Sequence, residues 1–423
     1  MPEAIHHMTL GNGLRVVAQR VPGVSGVGIS VNYRAGFRTE QRSRSGFAHL
    51  FEHMMFQGSA NVPAGTHFAD IQARGGMVNA NTFPDSTDYY QIVPADLLGR
   101  VLEMEADRMA SLSVTKHNLD TQRKVVKEEI RLQVSGRPYG GFPWIPLPSV
   151  LYRTWASAHN GYGEMADLDA ATVEDCADFF FTQYAPGNAV LAMCGDIDPQ
   201  AALTEAERSF ASVHARPTPQ PADIREPVAD DPLHGTCQDP LAPRPALAIG
   251  CRMPDAEEDL AAYAAFVVLS HLLTGGTNAR LRKALAPLEV QVDSSAGFFG
   301  PLMVKDPDTF VIVTHHPQGL ADAVIDVITH QAAEVAKRAC PGAETERAVA
   351  TAVTSLYQAM DSLQHRVRSL ARGTLLFDRP AIAEDLARAV AHTSADAIAA
   401  AARTVARAEG RAVLTLLPQE VTA

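Results

Sequence analysis

The chain has 423 residues, 46% of them hydrophobic and 20% charged, the composition of an ordinary globular protein long enough for two or three domains. Its net charge of −12 argues against nucleic acid and anionic membrane surfaces as partners, and no apolar run approaches a membrane span. The five cysteines (Cys176, Cys194, Cys237, Cys251 and Cys340) are scattered and form no C-x-x-C pair, which favours thiols over a disulfide framework or a Cys-rich zinc site.

Residues 1–7 hold neither a basic nor an apolar stretch of the secretory kind, so the expected location is the cytoplasm, with the periplasm as the alternative if a leader has been removed. Residues 9–17 read as strand, Asn12-Gly13 turn and strand. Residues 27–33 alternate as another strand. An apolar helix follows over 47–56, with Ser43 or Ser45 as its expected cap. Residues 67–73 form a short helix. Gly75-Gly76 then leads into Met77-Val78-Asn79-Ala80-Asn81-Thr82. This segment is either a glycine turn or bulge, or an exposed edge strand onto which an extended peptide adds. Residues 88–93 are a strand, and 95–112 a helix with Leu98, Val101, Leu102, Met109 and Leu112 as its core stripe. A further helix runs from about Thr115 to Ile130. The Pro/Gly-rich stretch 136–149 is expected as loop, then come a helix over 172–183 and a strand over 188–193. Residues 215–245 read as an interdomain linker. Beyond it, a strand at 246–250, helices at 260–274, 345–360 and 394–407 and a strand at 411–416 take up the alternation again.

The 47–56 helix carries His49-Leu50-Phe51-Glu52-His53. His49 and His53 lie one turn apart on one face, where two imidazoles can grip a zinc ion. Glu52 projects from the same face and can take a proton from water there, as a general base. Two histidines and a glutamate on an otherwise apolar helix need partners. A third ligand must come from elsewhere. On the 115–130 helix, Val125, Val126, Glu129 and Ile130 share a face, which turns Glu129 inward and Glu128 out to solvent.

The two halves echo each other. Residues 188–191, 121–125 and 48–51 each resemble a segment about 223 residues later, the order and near-constant spacing of a duplication. The second copy has His271 opposite His49, but Thr274 and Gly275 where Glu52 and His53 would fall and Val353 at the place of Glu129. Only the first half keeps the polar set.

These residues resemble the inverted-zincin peptidases of the pitrilysin group, family M16, in particular the short members related to the mitochondrial processing peptidase β-subunit. The likeness rests on Gly36 through Glu40, His49 to His53, Gly75 to Ala80, the helix ending in Glu128-Glu129, the 188–195 strand and Thr274 to Leu281. It implies an α+β fold of two homologous domains, each a mainly antiparallel β-sheet covered by helices. The expected divisions are a zinc-bearing domain at 1–214, a linker at 215–245 and a C-terminal domain without metal ligands at 246–423. The resemblance implies one Zn²⁺ per chain held by His49, His53 and Glu129, since the third ligand in the family is a glutamate about 70 to 77 residues past the second histidine. It implies Glu52 as the catalytic base of a metalloendopeptidase, with the peptide lying along Met77, Val78, Asn79, Ala80, Asn81 and Thr82.

Three positions depart from the family pattern. Gln122 stands where an acidic residue often helps to place the third ligand. Ala286 and Asp293 stand where an Arg and a Tyr usually contact substrate. In the short members the zinc of one chain faces the C-terminal domain of its partner, so a heterodimer with a homologous chain that supplies the Arg and Tyr is expected, with a homodimer as the alternative. Two rival readings are a non-catalytic assembly or peptide-binding subunit, and a structural zinc protein. The first should have lost one of the four site residues. The second should have four protein ligands and no use for Glu52.

Overall fold

The computed structural model describes residues 3–227, 229, 231–337 and 342–418. Their contacts divide them into two compact units. The first holds Met1–Glu129, Gly161–Ala222 and Gln358–Ala383; the second holds Ile130–Asn160, Asp223–Tyr357 and Glu384–Ala423.

The first unit is built on a six-stranded sheet of β1 (Ile5–Thr9), β2 (Arg15–Arg20), β3 (Gly26–Tyr33), β4 (Met77–Thr82), β5 (Thr87–Pro94) and β6 (Ala189–Gly195), in the order β1-β2-β6-β3-β5-β4. Every pairing is antiparallel except β2 with β6. The Asn12-Gly13 turn forms where expected, with Gly13 at φ 91° and Asn12 Oδ1 accepting from Leu14 N–H at 3.0 Å. Central β6 is buried along its whole length, as its unbroken apolar run requires. β4 is the last strand of the sheet and pairs only with β5. Gly75, at φ 74°, closes a turn after the short helix, and residues 77–82 beyond it form an edge strand, so both readings of this segment apply, each to its own part.

The second unit repeats the plan with β7 (Leu233–Asp239), β8 (Ala246–Arg252), β9 (Gln291–Ala296), β10 (Thr309–His315) and β11 (Arg411–Pro418), ordered β7-β11-β8-β10-β9. Again one pair, β7 with β11, is parallel. Apart from β1, which has no counterpart, the order and the place of the parallel pair are the same, which is the duplication seen as topology.

The units do not coincide with the sequence halves. The Leu363–Phe377 helix belongs to the first unit, where its Val367 packs within 3.0 Å of the position a Gly28 side chain would need. The Pro146–Leu151 helix belongs to the second, with Leu147 and Leu151 in a core with Leu233, Ala248 and Leu414. Each half thus lends a helix to the other's sheet. Residues 136–149, expected as loop, contain the start of that helix, with proline at its first turn. Residues 215–245, expected as linker, contain β7, whose burial falls on alternate residues only, so its polar composition hid it. We propose that the second copy begins at β7 and not at 246. Cys176, Cys194, Cys237 and Cys251 form no disulfide, and Cys340 lies outside the described residues.

Candidate metal centre

The metal helix spans Phe47–Met54, and six of its eight residues are buried. Its cap is not Ser43 or Ser45. Gly46 caps it in the left-handed region, at φ 85°. The first free N–H groups are satisfied from a distance, by the buried Glu40 carboxylate, which accepts from Gly46 N–H at 2.9 Å and Ala48 N–H at 2.8 Å. A carboxylate at this end also favours the helix dipole. Ser45 is used elsewhere, its hydroxyl donating to Asp167 at 2.6 Å. Gly36 is what lets the 36–40 loop carry Glu40 there: a side chain would meet the Phe83 and Pro84 carbonyl oxygens at 2.4 and 2.3 Å. A Cβ on Gly46 would sit 2.7 Å from the Tyr162 carbonyl oxygen as well as straining φ. Gly46→Ala is therefore expected to cost about 2 kcal/mol, read as a lower urea midpoint at unchanged slope.

On this helix His49 is buried against Tyr162, with ring centroids 5.1 Å apart, and His53 stands at its more open end. Glu129 comes from the Lys116–Ile130 helix. Its two carboxylate oxygens lie 3.5 Å from His49 Nε2 and 3.2 Å from His53 Nε2. One atom from each of the three residues falls within 4.8 Å of the others, and no other such group of metal-ligating side chains occurs among the described residues. Val126 and Ile130 are buried beside Glu129, as the shared face required, and Glu128 is exposed. Val125 is not on that face: it is 45% exposed, because one residue of helical rotation turns it out to solvent.

The electrostatics follow from the same contacts. Hydrogen bonds from His49 and His53 hold the Glu129 carboxyl far below its ordinary range. Burial alone would lower the His53 pKa, but hydrogen bonding and charge from Glu129 outweigh it and raise the value. Gln122 hydrogen-bonds the His53 side chain and so helps to fix that ring. The donor set fits zinc: two imidazoles and a carboxylate converge, with His53 and Glu129 only partly buried so that one side stays open. His49 Nδ1 is buried without a partner.

Glu52 faces the same space. Burial raises its pKa above the usual carboxylate value, so it is a readier base than an exposed glutamate. One of its oxygens accepts from the Thr82 hydroxyl at 2.7 Å. Of the six residues 77–82, Val78 and Ala80 are buried, Met77 and Asn79 are exposed, and Asn81 and Thr82 are intermediate. Thr82 thus fixes the position of the Glu52 side chain. The second unit bridges helix to edge strand in the same way with uncharged groups, Thr274 to Ser294 at 2.8 Å. Asp293 pairs there with Arg282, and Ala286 lies in a short 3-10 turn.

One feature under the metal helix escaped the sequence reading. Arg108 and Glu105 are both buried, paired at 2.7 Å, and Arg108 stacks on Tyr89 at 4.5 Å. Tyr89 in turn donates from its hydroxyl to the Phe51 carbonyl oxygen at 3.1 Å. The i,i+3 spacing of Glu105 and Arg108 was the available signal.

Comparison with known proteins places these observations. Residues 15–136 match the family described as Insulinase (Peptidase family M16), and residues 170–351 match the Peptidase M16 inactive domain. The zinc protease PqqE of Helicobacter pylori is 27% identical over 312 residues, covering 72% of this chain and 68% of that protein. The mitochondrial-processing peptidase subunit beta of Saccharomyces cerevisiae is 23% identical over 212 residues, covering 50% of this chain and 46% of that one. A crystal structure of a protease from Helicobacter pylori shares the fold with a TM-score of 0.90 at 22% identity, over 99% of this chain and 100% of that one. No helix among the described residues is long and apolar enough to cross a membrane.

Proposed function

Since the chain belongs to peptidase family M16, we propose that it is a zinc metalloendopeptidase that cuts oligopeptides or unfolded segments, with His49, His53 and Glu129 as ligands of one Zn²⁺ and Glu52 as the base. The observation that carries this reading is the convergence of the His49, His53 and Glu129 ligand atoms within 4.8 Å, on the side of the helix that Glu52 faces. Zinc bound there would supply a Lewis acid for the peptide carbonyl and make an adjacent water more acidic. Glu52 takes the proton of the attacking water and returns it to the leaving amine. Thr82 holds one Glu52 oxygen by donating to it, leaving the other for the proton. The peptide lies extended beside β4 and pairs with its free edge. Ala80 N–H, now held by the Asn79 side chain at 2.8 Å, is one of the groups that pairing engages. Folded protein cannot add as a strand, which limits the substrates to flexible chains.

Thr82→Val is expected to keep the metal and lower kcat about tenfold, because a mispositioned base loses part of its effect. A quenched peptide assay beside zinc analysis checks it, and an unchanged kcat would remove Thr82 from the mechanism.

Ala286 and Asp293 are not the Arg and Tyr of the family, so we propose a heterodimer with a homologous subunit that brings both. Full activity of the purified chain, alone or as a homodimer, would contradict this. The same two positions favour one alternative, a non-catalytic assembly or peptide-binding subunit. That reading predicts zinc binding without hydrolysis in the presence of any homologous partner. The four described cysteines, none in a disulfide, support a cytoplasmic location. Cell fractionation tests it against the periplasm, where the Escherichia coli protease PqqL, similar in fold, is described.

A further inference from the structure

The edge strand β4 has two faces, and the metal centre explains only one. Side chains alternate along a strand. Val78, Ala80 and Thr82 turn towards the metal helix, where Thr82 reaches Glu52. Met77, Asn79 and Asn81 turn the other way, opposite Ile92, Tyr90 and Asp88 of β5. On that side of the sheet the Leu363–Phe377 helix, the one contributed from the second half of the sequence, packs over β6, β3 and the neighbouring β5, and leaves Met77 and Asn79 of β4 exposed.

The helix brings charge to it. Arg368 Nε donates to Asp88 Oδ2 at 2.7 Å and its Nη2 to Oδ1 at 3.3 Å. The Arg368 guanidinium lies over the Tyr90 ring at 4.4 Å and 5.9 Å from Phe83, which follows β4 directly. Arg372 stands 3.5 Å from the same carboxylate, and Asn81 Nδ2 donates to it at 3.3 Å. Asp88 is wholly buried, so its charge is spent on these partners. Two guanidinium groups meet one carboxylate, leaving an excess of positive charge beside Asn81. The Arg368 side chain keeps 17% of its surface exposed, and no hydrogen bond engages its Nη1 among the described residues.

We propose that Arg368 is a specificity determinant, favouring an acidic side chain at the substrate residue that pairs with Asn81. This rests on peptide adding to β4 as proposed above. A residue directly opposite Asn81 on an added strand has its side chain on the same face of the sheet as Asn81. The added strand lies about 4.8 Å beyond β4, so a glutamate leaning back over Asn81 comes within reach of the free Nη1. A neutral residue leaves the local charge excess unanswered, and a lysine adds to it. Since Thr82, next along β4, holds the base, the selected residue lies beside the bond that is cut.

The test uses the 423-residue chain carrying Glu52→Gln, loaded with zinc and mixed with the homologous subunit, so that peptides survive and the contacts proposed for that subunit are present. The probes are three fluorescein-labelled nonapeptides of one sequence with Glu, Gln or Lys at every second central position, and the readout is fluorescence anisotropy. The Glu probe is expected to bind about fivefold more tightly than the Gln probe, the span of a partly exposed ion pair, with the Lys probe weakest. Adding Arg368→Gln should bring the Glu and Gln affinities together, while Arg368→Lys should retain part of the difference. Binding with no Glu preference, or a preference that survives Arg368→Gln, overturns this inference and leaves the edge-strand reading standing. Failure of all three probes to bind overturns both. Asp88 keeps Arg372 and Asn81 in the Arg368 variants, and a matched urea midpoint would show that the unit still folds.

Discussion

Glu52→Gln is expected to leave zinc content unchanged and to cut peptide hydrolysis by about a thousandfold, within the usual range for loss of a general acid–base group. The amide keeps the shape of the side chain and can still accept from Thr82, so the change is confined to proton transfer. Repulsion from Glu129, the third ligand proposed, is the least of the influences on Glu52. The metal set should therefore survive. Zinc analysis alongside initial rates on a quenched peptide checks this. Loss of zinc with loss of rate would make Glu52 a structural residue, and an unaltered rate would remove it from the reaction.

Glu129→Gln is expected to fail in the opposite way, losing the metal first and activity as a consequence. Removing a partner outside the ligand shell of a zinc site already weakens affinity by about 10- to 100-fold, so replacing an anionic ligand should cost at least about a hundredfold. Dialysis against a chelator of known affinity, followed by metal analysis, measures it. Excess zinc should restore part of the activity of Glu129→Gln but none of that of Glu52→Gln. Full zinc retention in Glu129→Gln would contradict the ligand set.

The meeting of His49, His53 and Glu129 was legible because its pattern is local: a spacing of four on one helix, and a carboxylate on the inner face of another. Most strands of the first sheet, and β8 and β11 of the second, were legible for a similar reason, since buried strands such as β6 are continuous apolar runs, whereas β9 and β10 were not read. What stayed hidden depends on contacts between residues far apart in sequence. The helix cap came from Glu40 and not from an adjacent serine. β7 is polar on one face and gains its place from the parallel partner β11. The exchange of helices left no sign in either helix's own pattern, because an apolar stripe does not state which sheet it covers. Thr82 was read as groove lining, and its 2.7 Å contact with Glu52, the basis of the positioning role proposed for it, was not foreseen. The Arg368 and Asp88 pairing joins residues 280 apart in sequence, beyond any local rule.

The most direct test of the account combines metal content with peptide cleavage in one preparation. The chain, with and without a homologous subunit, is analysed for zinc and assayed on a quenched peptide before and after o-phenanthroline. The account predicts one zinc per chain, cleavage that appears with the homologous subunit, loss of that cleavage with the chelator, and its return when zinc is restored. Cleavage that persists in zinc-free protein, or a chain that binds no zinc at all, would contradict it.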